Sequence, residues 1–226
     1  VGNFTTALKP QLTKAIAQED YSRAFNLISK GSKYSFIMML IFAVPVMVTA
    51  PDLLRIWLVE VPEYSVSFVR LTMIYMLLDT LSRMLIHAIL SDGKIKTYQI
   101  IVGGTKLFAV PLVYVLIKLG ATPMAGLWVN IILEVLCLGQ RLYYSQKRIN
   151  FSCMNYIFEV LFICAILFIL SMALSHLWIR FADSIFVVDA LISASITCIV
   201  IWIFGLKKSE RSLIIKYVKK VLRKHN

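Results

Sequence analysis

The sequence predicts an all-α fold, a polytopic membrane bundle of six transmembrane helices with both ends of the chain on the cytoplasmic side. Three observations predict it. The 226-residue chain is 59% hydrophobic and only 16% charged, with a mean hydropathy of +0.79, far too apolar for a soluble domain of this length. Six apolar stretches follow one another, each with the roughly 20 residues that cross a hydrocarbon core as helix. The connectors between them are short, and Lys and Arg collect on alternate ones.

Residues 1–33 are polar and read as a cytoplasmic interfacial segment. Leu12, Ile16, Phe25 and Ile28 are spaced as on interfacial helices, with an interruption near Glu19-Asp20. The chain opens on Val, without the charged flank and apolar stretch of a signal peptide, so it reads as a piece of a longer protein. The transmembrane domain, 34–206, holds apolar stretches at 34–58, 68–90, 98–119, 124–143, 156–178 and 185–206. Val61-Pro62-Glu63, Ser91-Asp92-Gly93-Lys94 and Gly120-Ala121-Thr122-Pro123 punctuate the first three connectors as tight hairpins. Pro45 and Pro111 fall inside stretches and predict kinks, and Gly103-Gly104 predicts close helix packing or bending.

Orientation follows from the basic residues. Lys9, Lys14, Arg23, Lys30 and Lys33 precede the first stretch, Lys94 and Lys96 mark the second connector, and Arg141, Lys147 and Arg148 the fourth. The other connectors have only Arg70, Lys118 and Arg180 at their edges, so the positive-inside rule places both termini in the cytoplasm. In the tail, 207–226, Ile214, Tyr217, Val218, Val221 and Leu222 share one helical face ringed by Lys and Arg. A basic amphipathic helix on the anionic inner leaflet is expected there, with a solvated basic tail as the alternative. The net charge of +12 is therefore topological. A nucleic-acid partner would need a basic face with interleaved aromatics on a soluble domain, which is missing, whereas membrane lipids are an expected partner.

No sequence pattern points to an enzyme, a metal or a cofactor. G-x-S-x-G, H-E-x-x-H, Walker and G-x-G-x-x-G patterns are absent, the histidines are scattered, and the four cysteines lack C-x-x-C spacing. The functional lead lies inside the apolar stretches. Asp79, Arg83 and His87 recur every four residues and stack on one helical face; Lys106 and Glu134 sit near the middle of the next two stretches. Each charge at the bilayer centre costs at least about 2.5 kcal/mol, so this set implies either a polar cavity or mutual neutralisation. Asp79 can pair with Arg83, and Lys106 with Glu134 across a hairpin, as structural clamps; the other reading is a cavity for a charged or sugar-bearing substrate.

The order of several short motifs carries a resemblance. Leu8-Lys9-Pro10-Gln11-Leu12-Thr13-Lys14 followed by Ala17-Gln18-Glu19-Asp20 resembles a cytoplasmic loop of Wzx-type polysaccharide flippases, in the multidrug/oligosaccharidyl-lipid/polysaccharide exporter superfamily. Ile56-Trp57-Leu58 before Val61-Pro62-Glu63-Tyr64 resembles the family's outer turn, and Asp92-Gly93-Lys94-Ile95-Lys96-Thr97-Tyr98-Gln99 is similar to its G-K-I-K-x-Y-Q turn. Pro111-Leu112-Val113-Tyr114 and then Lys118-Leu119-Gly120 complete a match over about residues 3–150.

The resemblance implies two bundles of six helices around a central cavity, often with two extra C-terminal helices. This chain would supply the last six, and the missing N-terminal part of the same protein would be its partner. It further implies alternating-access translocation of an undecaprenyl-diphosphate-linked oligosaccharide across the bacterial inner membrane, for surface polysaccharide such as O-antigen or capsule. Arg83 and Lys106 are the candidates for head-group contact, and Asp79, His87 and Glu134 for cavity electrostatics or ion coupling. Three alternatives stand beside it. One is a cation-coupled drug or metabolite antiporter of the same superfamily. Another is a membrane enzyme of polysaccharide assembly, which would need a long outer loop or paired catalytic residues. The last is a non-transporting membrane subunit.

Overall fold

The computed structural model describes residues 2–93, 95–181, 185–206 and 210–212, and among them only helices and their connections occur. Helix α1 spans Gly2–Ala17, α2 Tyr21–Val48, α3 Ala50–Trp57 and α4 Ser65–Ser91. Helix α5 spans Lys96–Lys118, α6 Ala125–Ile149, α7 Cys153–Phe181 and α8 Phe186–Gly205. Six of these, α2 and α4 to α8, are long and apolar enough to cross a membrane. This matches the six apolar stretches, and it makes the chain a multi-pass membrane protein by length and composition.

Helix α2 is the centre of the bundle. It packs against α1, α4, α7 and α8, while α4 also packs on α6, and α6 on α5. One core cluster joins Leu40, Ala43 and Val44 of α2, Leu81, Met84 and Leu85 of α4 and Tyr156 and Leu167 of α7; in it Gly31 of α2 lies against Met84, and the Ser32 and Tyr156 hydroxyls both donate to the Leu81 carbonyl. Within its most apolar window α2 is 67% buried, whereas α5 is 6% buried, which makes α5 an edge helix touching the rest almost wholly through α6. Gly103 and Gly104 lie on this edge helix. A Cβ at either would meet nothing within 4 Å, so neither mediates the close packing expected of the pair within this chain.

The first apolar stretch divides differently from its expected bounds at 34–58. Glu19 turns the chain with φ 55°, and the Asp20 carboxylate accepts the Arg23 N–H at 3.0 Å, so α2 starts at Tyr21. Residues 21–33, expected in an interfacial segment with α1, instead form the first turns of the central helix. At the far end Pro51 lacks the N–H that would bond the Met47 carbonyl four residues back, and Arg70 Nε of α4 donates to that carbonyl at 3.0 Å. Thr49 donates both its N–H and its hydroxyl to the Pro45 carbonyl, and the chain restarts as the short helix α3. Helix α5 has a similar fault at Phe108, where Pro111 leaves the Leu107 carbonyl without its helical donor.

The α4 to α5 and α5 to α6 turns each use a glycine in the left-handed region, Gly93 at φ 79° and Gly120 at φ 88°. Beyond α8, Glu210 returns to α2: Tyr34 donates its hydroxyl to Glu210 Oε1 at 2.7 Å, and Lys33 Nζ lies 3.8 Å from Oε2. The amphipathic face expected at Ile214, Tyr217, Val218, Val221 and Leu222 lies outside the described residues.

Candidate functional site

Lys106 and Glu134 meet. Glu134 projects from the middle of α6 into the contact with α4 and α5 and is 1% exposed; Lys106 Nζ of α5 lies 2.9 Å from its Oε2. Its other oxygen, Oε1, takes Arg141 Nη1 at 2.6 Å and accepts the Ser82 hydroxyl of α4 at 2.9 Å. Arg141 Nη1 also reaches Ser82 Oγ at 2.7 Å, and Arg141 Nε points to the Tyr98 hydroxyl of α5 at 3.4 Å. Three helices are thus tied together through one carboxylate.

Arg141 was not singled out by the sequence, which placed it with the connector cations Lys147 and Arg148. Here it is 3% exposed, because α6 continues as helix to Ile149. A signal was available: Arg141 lies seven residues after Glu134, two helical turns, and so shares its face. Ser82 and Tyr98 carried no comparable signal, because a serine or tyrosine in an apolar helix is ordinary. Asp189 in α8 is a further buried carboxylate that sequence reading passed over; it lies in a different part of the bundle, on a helix that packs against α2 and α7.

Asp79 and Arg83 form the other charged pair. Arg83 donates through Nε at 2.9 Å and Nη2 at 2.6 Å to Asp79 Oδ2, closing an i, i+4 pair on one helix. Arg83 nevertheless leaves 45% of its side chain uncovered, as does Lys106. His87, one turn further, is half-buried, and its carbonyl accepts the Ser91 hydroxyl.

Lys106 and Arg141 wall one depression. Between α4 and α5 lies a cleft of about 280 Å³ whose walls include Ile86 and Leu90 of α4, Gln99, Gly103 and Lys106 of α5, and Arg141 of α6. Ile86 and Leu90 stand seven residues after Asp79 and Arg83 respectively and so share their side of α4, whereas the His87 end of the stripe turns toward α1, where Ser91, one turn further, meets the Thr13 hydroxyl at 2.9 Å. The second wall is built around Lys106 with Glu134 behind it. Arg83 and Lys106 make no direct contact: Arg83 is held by Asp79 on α4 and Lys106 by Glu134 of α6.

The charges on this side do not balance. Lys106 and Arg141 bring two cations against the single carboxylate of Glu134, Asp79 and Arg83 cancel each other, and one positive charge is left over within membrane-spanning helices. No family model, no curated protein and no solved structure matches this chain. No group of three or more His, Cys, Asp or Glu placed to hold a metal ion occurs among the described residues.

Proposed function

We propose that this chain is part of a membrane flippase that moves an anionic, lipid-linked oligosaccharide across the bacterial inner membrane, with the α4 to α5 cleft receiving its diphosphate head group. The observation that carries this reading is the surplus cation: Lys106 and Arg141 wall the cleft against the single carboxylate of Glu134, while Arg83, held by Asp79, stands on the helix that forms the other wall. A net charge at that depth costs about 2.5 kcal/mol or more where no second acid shares it, and a bound anion offsets that cost. Lys106 and Arg83, each nearly half uncovered, keep side-chain surface beyond their own ion pairs for a phosphate. Glu134 holds Lys106 and Arg141 apart from one another's repulsion, and Asp79 restrains Arg83.

Two features support translocation over static binding. Helix α5 holds to the bundle almost wholly through α6, and it is broken at Phe108 ahead of Pro111, so its two halves can tilt separately. A polyprenyl tail can stay in lipid along the uncovered apolar side of α5 while the head group occupies the cleft. The cytoplasmic placement of both termini belongs to this reading and follows the distribution of Lys and Arg.

The test is glycan export by the intact transporter. Arg83→Gln with Lys106→Gln is expected to abolish surface polysaccharide while membrane insertion and protein level stay normal. Unchanged export in the double variant overturns the assignment. A drug or metabolite antiporter would instead lose efflux on loss of its acidic residues and show no glycan phenotype.

A further inference from the structure

A second depression lies near the start of α5. It has a volume of about 390 Å³, sits between the α4 to α5 turn and the last turn of α6, and is walled by Gly93, Ile95, Lys96, Thr97 and Arg148. Its two cations come from different helices. Lys96 meets no carboxylate among the described residues, and the one acid near Arg148 is Asp92, with Oδ2 at 3.9 Å from Nε, the outer limit of an ion pair. Among the described residues, two basic side chains and the Thr97 hydroxyl thus face one concavity with a single loosely engaged acid. That is the donor set of a tetrahedral phosphate group, which takes cations and hydroxyl donors on several oxygens at once.

Position narrows the ligand further. The depression lies where α4 and α6 end and α5 begins, so it sits at one face of the bilayer, at head-group depth. Exposed Ile95 and the uncovered apolar residues Ile100 and Ile101 of α5 lead from it toward the hydrocarbon region. Basic pockets between helix ends at this level are suited to lipid phosphates.

The rim depression and the deeper cleft are separate but both draw on α5 and α6. Lys96, Gln99, Gly103 and Lys106 follow one another on one face of α5, and Arg148 and Arg141 stand two turns apart on α6. The ten residues from Lys96 to Lys106 correspond to a rise of about 15 Å along the helix. The two levels are too far apart for one phosphate to touch both.

The geometry points to a rim site, formed by Lys96, Thr97 and Arg148, that binds the phosphate group of an anionic phospholipid from the adjacent leaflet. This site stands independently of the glycan-export reading, since it uses none of the residues assigned to the deeper cleft.

Binding of short-chain phosphatidylglycerol to the chain in phosphatidylcholine nanodiscs tests it, with inorganic phosphate as competitor. Lys96→Gln with Arg148→Gln is expected to weaken lipid binding about tenfold or more, while the charge-conserving Lys96→Arg with Arg148→Lys retains it. Lys147→Gln, which removes an exposed neighbouring charge outside the depression, is expected to change affinity less than about twofold. Inorganic phosphate that fails to displace the lipid identifies the lipid head group as the source. Phosphate that binds as tightly as the lipid and depends on the same two cations identifies the free anion, and sinks the lipid assignment. Equal losses in Lys147→Gln and the double variant, or no loss in the double variant, overturn the site altogether. Lys106→Gln separates the two readings, because it is expected to impair export and leave rim binding unchanged.

Discussion

Replacing Glu134 by Gln removes the one carboxylate that two cations share, and the two halves of that interaction differ in cost. Arg141 is 3% exposed and sits 2.6 Å from Glu134 Oε1, so losing the acid strands a guanidinium that has almost no access to solvent. Breaking a buried pair from one side costs about 3–5 kcal/mol. Lys106 lies 2.9 Å from Oε2 but leaves 45% of its side chain facing the cleft. If that cleft holds water, the Lys106 arm behaves as an exposed ion pair worth about 0–1 kcal/mol. Double-mutant cycles on unfolding in mixed detergent micelles separate the arms. Glu134→Gln crossed with Arg141→Gln is expected to give a coupling of about 3 kcal/mol, and Glu134→Gln crossed with Lys106→Gln one below about 1 kcal/mol. Equal couplings would place Lys106 in a medium as dry as that around Arg141. The water-filled cleft, and with it the head-group site, would then be refuted.

Gly103→Leu should fill the cleft without harming the fold, since a Cβ there meets nothing within 4 Å. Thermal stability is expected to hold or rise by about 0.5–1 kcal/mol from improved helix propensity, while export by the intact transporter falls; export at the original rate would show that the cleft carries no substrate. Arg70→Met removes the donor that serves the Met47 carbonyl ahead of Pro51. A loss of about 1–3 kcal/mol is expected, read as a lower melting temperature in detergent, and a loss no greater than that of Arg55→Met would contradict the role given to Arg70.

Much of the architecture was legible because it depends on composition along the chain. Apolar stretches of bilayer length, short connectors and turn glycines such as Gly93 and Gly120 are local properties, and the six membrane-length helices follow from them. The ends were less legible. Residues 21–33 look interfacial by polarity, yet they continue α2, because Ala24, Ile28, Gly31 and Ser32 are buried against neighbouring helices that no local window reveals. Position 31 admits only the smallest residue without rearrangement: a Cβ there would stand 2.9 Å from Met84 of α4.

For the site, periodicity alone placed Asp79, Arg83 and His87 on one helical side, and spacing fixed the depth of Lys106 and Glu134. Which charges meet was decided by tertiary packing. Glu134 could have turned to any neighbour, and the α4–α6 and α5–α6 contacts turn it to Arg141, Ser82 and Lys106 at once. Arg141 shows the difference most plainly. A basic residue near the end of an apolar stretch reads as a topological marker, since nothing in its own surroundings distinguishes a residue in the head-group layer from one held inside. Only the packing of three helices, with a carboxylate two turns away on the same face, makes burial of that cation tolerable and converts a marker of orientation into the centre of a polar site.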